Sequence, residues 1–128
     1  MKLDPDCVRG ILLTMEDLDY GGHMNPEILH QALPEYSVEQ LVYTCLMLED
    51  GGFLELITID MPGQYLPGIK AIVSLTYKGH EFISSIRKNE IWTGVKMIAG
   101  KVGSTSLSAL SQIAASVVTQ LVKAQFNL

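Results

Sequence analysis

The chain has 128 residues, 48% of them hydrophobic, and a formal net charge of −5. That is enough for one domain with a modest core plus an appendage, and it excludes a disordered tail. The negative sign is the wrong one for a protein that works mainly by clamping phosphates.

A first helix is predicted from "DPD". Asp4 suits the N-cap and Pro5 the first helical position. Val8, Ile11, Leu12 and Met15 then form one apolar face, and "DYGGH" ends it. A second helix repeats the device, with Asn25 as cap, Pro26 in the first turn and Glu27 against the positive helix end. Ile28, Leu29, Ala32 and Leu33 are its expected inner face, and Pro34 stops it. The third begins at Ser37-Val38-Glu39-Gln40, a capping-box pattern. Leu41, Cys45 and Leu48 line one face, Val42 and Leu46 widen it, and Gly51-Gly52 ends it. The connection "PEY" is as short as a helix-turn-helix needs.

"FLELITI", residues 53 to 59, and "IKAIVSL", residues 69 to 75, read as two strands joined by a Pro-Gly turn, a hairpin. A fourth helix follows Thr76, with Phe82, Ile83 and Ile86 facing in. Asn89 is the expected cap of a fifth, whose face is Ile91, Val95, Ile98 and Val102, widened by Trp92. "GSTS" breaks the chain. The last helix carries Leu107, Leu110, Ala114, Val117, Leu121 and Ala124 in alternating steps of three and four, a coiled-coil seam.

Helix, helix, helix, hairpin, helix is the order of a winged helix-turn-helix domain. The expected fold is mainly α with a small β-hairpin (α+β): a winged-helix-like domain over residues 1–88 and a helical, oligomerising extension over 89–128.

Charge is distributed unevenly. Gly10 to Ile69 holds ten acids and no Lys or Arg, whereas the chain from Lys70 onward has seven bases and two acids. The third helix, placed like a reading helix, thus has neutral donors for base edges but no cation for phosphates. Its DNA contacts, if it made any, would be Ser37, Gln40, Tyr43 and Thr44, with Lys70 beside the wing. Glu35, Glu39, Gln40, Tyr43, Glu49 and Asp50 instead make a surface for a basic protein partner.

No catalytic or metal constellation emerges. His80-Glu81 begins a zinc-protease motif, but Ser84 stands where the second His belongs. "AGKVGSTS" lacks the spacing of a phosphate loop. Cys7 and Cys45 sit in apolar helical patterns, where a thiol behaves as a small hydrophobe. No enzyme activity, cofactor or metal is expected. The acids in "MKLDPDCVRG" leave no signal peptide, which predicts a cytoplasmic protein. Val102 to Val122 is uncharged and long enough for a bilayer, but Gln112 and Gln120 within it favour pairing with another helix over lipid.

"MKLDPDCVRGILL", "LVYTCLMLEDGGF" and "LTYKGHEFISSIRKNEIW" together resemble a family of phage and prophage proteins, domain of unknown function 2513, over roughly residues 1 to 95. The resemblance implies a winged-helix-like fold and a phage-derived origin, and carries no activity. That family often has a histidine after the tyrosine of its third helix. Here Tyr43 is followed by Thr44, so no role of that histidine transfers.

The expected function is non-enzymatic: a protein-interaction module that forms a homo-oligomer through the seam. The alternative is a DNA-binding transcription regulator.

Overall fold

Helix starts follow local capping chemistry. In α1 (Pro5–Glu16) the Asp4 carboxylate accepts from the backbone N–H of Asp6 at 2.8 Å and of Cys7 at 3.4 Å. In α2 (Pro26–Ala32) Asn25 accepts from Ile28 N–H at 2.9 Å. In α3 (Val38–Asp50) Ser37 Oγ accepts from Gln40 N–H at 3.1 Å. Replacing Asp4 by alanine strands two backbone donors at once. It is expected to cost about 1 kcal/mol, seen as a lower urea midpoint with unchanged slope.

The computed structural model describes residues 1–127: a mostly helical fold with one small antiparallel β-hairpin. β1 (Leu54–Ile59) pairs with β2 (Gly68–Leu75), Leu54 opposite Leu75 and Ile59 opposite Gly68. The register shifts twice, skipping Val73 and Lys70 on β2. At the tip, Pro62 and Gly63 (φ +78°) occupy the centre of a turn closed by Gln64 N–H on Met61 O at 3.0 Å. α4 (Tyr77–Ile86), α5 (Asn89–Val102) and α6 (Leu107–Phe126) complete the chain.

The chain divides into two compact units, Met1–His80 and Glu81–Leu128, the boundary falling within α4. In the first unit α1, α2 and α3 pack together and against the hairpin. Val8, Ile11, Leu12, Leu29, Leu41, Leu48, Leu54 and Ile72 are buried. Ile72 N–H donates to Met24 O at 2.9 Å, tying the α1–α2 connection to β2. Both thiols are free and buried. Cys7 Sγ lies 3.6 Å from Thr44 Oγ1 as donor. Burial pushes Cys45 up to about 12, with Cys7 adding to the shift, and raises Cys7 as well.

In the second unit α5 and α6 pack on one another. Gly103 ends α5, and Ser106 starts α6 by accepting from Ala109 N–H at 3.1 Å.

Three sequence expectations change. Ile28 and Ala32 of α2 face solvent, because a helix of seven residues presents only Leu29 fully to the core. The cap of α5 lies one residue earlier than expected: Lys88 holds the cap position without a side-chain capping bond, and Asn89 is already helical. Its buried stripe is Trp92, Val95 and Ala99, while Ile98 and Val102 are exposed.

Candidate functional site

α3 has two stripes. Leu41, Thr44, Cys45 and Leu48 turn into the core. Glu39, Val42, Tyr43 and Leu46 recur at i, i+3, i+4 and i+7 and turn toward the hairpin loop. Gln64, Leu66 and Pro67 of that loop, with Met1, close the other side. The result is an open groove of about 380 Å³ with an apolar floor and Glu39 at its edge. No Lys or Arg lines it. Leu66 is 52% exposed, an apolar side chain in a turn-rich loop with no core to serve.

A larger hollow of about 630 Å³ lies between the end of α1 and β2, with Glu16, Asp19, Tyr20 and His80 on its walls. Size alone does not make it the better site. Tyr20 points fully into solvent, and the floor is Met15, Leu18, Val73 and Leu75, with no buried polar group aimed inward. Among the described residues, no three His, Cys, Asp or Glu side chains gather as a metal site would require.

The structure places the candidate partner residues at two separate ends of α3. Glu39 and Tyr43 line the groove, with exposed Glu35 and half-buried Gln40 in the turn and first turn beside them. Glu49 and Asp50 are some ten residues further on, about 15 Å along the axis. The Glu49 carboxylate is engaged locally, accepting from Leu56 N–H at 3.0 Å.

Of the candidate DNA contacts, Thr44 must be withdrawn. It is 1% exposed, and its hydroxyl donates to Gln40 O at 2.7 Å and faces Cys7. Ser37 is engaged in capping, and Gln40 and Tyr43 are half-buried. Lys70 is exposed on β2. Lys78 has other work: its ammonium donates to Gly51 O at 3.0 Å at the C-terminal end of α3 and sits 4.6 Å from the centre of the Phe53 ring.

The α6 seam divides along its length. Leu110 and Ala114 are buried, Leu107 and Val117 half-buried, and Leu121 and Ala124 exposed. By length and composition α6 alone among the described helices could cross a membrane, at a mean hydropathy of 1.2. The seam is nevertheless only one side of it. Ser108, Gln112 and Thr119 are exposed on the opposite side.

Leu66, Pro67, Gln64 and Met1 are the groove residues that sequence reasoning missed. The one available signal was the apolar "YLP" inside a loop otherwise made of turn residues.

The comparisons with known proteins bear on these residues as a set. The family model described as "Hypothetical protein (DUF2513)" matches residues 2–106, which takes in every groove residue except Met1. An uncharacterized protein of Haemophilus influenzae (strain Rd) is 28% identical over 123 residues, covering 94% of this chain and 98% of that protein. No solved structure matches.

Proposed function

The chain belongs to the DUF2513 family, and from that premise we propose that this member is a non-catalytic binding module of winged-helix build. Its groove between α3 and the hairpin loop takes up an apolar, positively charged segment of a protein partner. The observation that carries this is the groove's lining: Val42, Tyr43, Leu46 and Leu66 for apolar contact, Glu39 for charge, and no Lys or Arg side chain. A phosphate backbone laid there would meet acids without Lys or Arg. An amphipathic helix would find both its apolar anchors and its charge partner.

The winged-helix reading is supported by the element order, the short α2–α3 turn and the bond from Ile72 to Met24 that seats the hairpin on the helices. Fold alone leaves the ligand open, so the charge of the site decides between ligands. The DNA-binding alternative rests on the exposed Lys70 of β2.

The test is fluorescence anisotropy of the intact protein against two probes, a random DNA duplex and a basic amphipathic helical peptide, from low to physiological salt. The peptide is expected to bind, and Leu66→Asp to weaken it by roughly tenfold or more. The duplex is expected not to bind at any salt. Duplex binding that rises steeply toward low salt and falls with Lys70→Ala would replace this reading with the regulator.

A further inference from the structure

The groove has an apolar floor, and the same chain carries a helix end with exposed apolar side chains. We propose that the occupant is the last turns of α6 from a second copy of this chain. This rests on the reading of the groove as a protein-binding site.

The exposed helix end has a geometric origin. α5 and α6 run antiparallel from one short turn, but α5 has 14 residues and α6 has 20. At 1.5 Å per residue α6 overruns its partner by about 9 Å. The overrun is where the exposed apolar residues lie: Leu121 at 51%, Val122 at 48% and Phe126 at 68%. Val122 and Phe126 stand one turn apart with Leu121 beside them, the spacing with which a helix anchors in a groove. A volume of about 380 Å³ has room for one aromatic and one aliphatic side chain.

Charge selects the second copy over lipid. Residues 1–80 carry twelve acids and four bases, a net −8, whereas residues 81–128 carry five bases and two acids, a net +3. No acidic side chain follows Glu90, and Lys123 sits between Val122 and Phe126, suited to Glu39 at the groove edge. The protein therefore supplies an acidic receptor and a basic ligand of its own. Such a contact joins unlike surfaces, so it closes into a reciprocal pair or a ring, or continues as a chain of copies.

The test uses two full-length variants, Gln64→Cys at the groove and Gln125→Cys on α6. Cys7 and Cys45 are buried and do not compete for an added thiol. With oxidised glutathione as oxidant, a mixture of the two is expected to accumulate a mixed disulfide dimer well above the level of either variant alone. In light scattering the wild type is expected to associate. Leu66→Asp and Phe126→Asp are each expected to weaken association by on the order of 30-fold.

A mixture that yields no mixed dimer, with a mass indifferent to Leu66→Asp, overturns the proposal. So does association lost in Ile98→Asp and kept in Leu66→Asp, which would assign the contact to the α5–α6 faces. Monomers that bind vesicles of mixed neutral and anionic lipid through α6 also overturn it. If the mixed dimer is absent while the basic peptide still binds the groove, the second copy is rejected as occupant and the groove stands.

Discussion

Gly79→Ala is expected to destabilise the protein by about 3 kcal/mol, although alanine is the better helix former by about 1 kcal/mol. Gly79 lies in the first turn of α4, where its N–H donates to Thr76 Oγ1 at 3.0 Å. A Cβ there would run into the carbonyl oxygen of Phe53, with Leu75 Cδ2 only 3.3 Å away. The carbonyl cannot step aside, because it accepts the Thr76 N–H at 3.1 Å. Thr76 thus ties the start of α4 to the end of α3 twice, its backbone N–H donating to Phe53 O and its hydroxyl to Gly52 O, and glycine is the residue that lets the two approach. Gly94 in α5 is the control: an added Cβ meets nothing within 4 Å. Gly94→Ala is expected to be neutral or stabilising by about 0.5–1 kcal/mol. Urea unfolding of both variants settles the sign, and a Gly79→Ala protein as stable as the wild type would refute the close approach.

The second large effect is alkaline. The Cys45 thiol is fully buried and titrates at about 12 rather than its ordinary 9.0. The folded state therefore keeps a proton that the unfolded chain releases from pH 9 upward. Stability from this group is complete below pH 9 and declines as pH rises toward 12, by up to about 1.4 kcal/mol per pH unit. At pH 11 the loss reaches roughly 3 kcal/mol. Cys7 shifts in the same direction. Tyr36 is also pushed up to about 12, by burial and then by nearby Asp4, but it is only half-buried and adds little. Urea midpoints at pH 7, 9 and 10.5 for the wild type and Cys45→Ala measure the effect. The variant starts lower because of its cavity, but its stability should fall less steeply with pH. Parallel pH dependences for the two proteins would show that Cys45 ionises freely in the fold.

Much of the fold is legible in the sequence because helix ends are local chemistry. Asp4, Asn25, Ser37 and Ser106 each accept a backbone N–H two or three residues ahead, and α6 starts directly after the "GSTS" break and holds every residue of the expected seam. What is not legible depends on partners distant along the chain. Periodicity offers α5 two neighbouring stripes, and only packing chooses Trp92, Val95 and Ala99 over Ile91, Ile98 and Val102. Thr44 has the chemistry of a surface hydroxyl, yet it is inside, satisfied by Gln40 one turn back and by Cys7 of another helix. Val42 and Leu46 look like an extension of the core face of α3. They become the floor of a groove because Leu66, twenty residues later, comes beside them. Lys78 counts as a surface charge in the sequence, but in the fold it is spent on the end of α3.

The irregular pairing of the hairpin has a consequence for solubility. The sheet has two strands, and Ile57 and Ile59 stand about half exposed on β1. A flat ribbon of that composition would be a template for strand addition and fibril growth. The two shifts that skip Val73 and Lys70 break the ladder and coil the ribbon, while Pro62 and Pro67 bracket its tip. A foreign strand finds no long run of backbone groups in register. The hairpin can thus carry apolar side chains into solvent without becoming a seed for cross-β stacking.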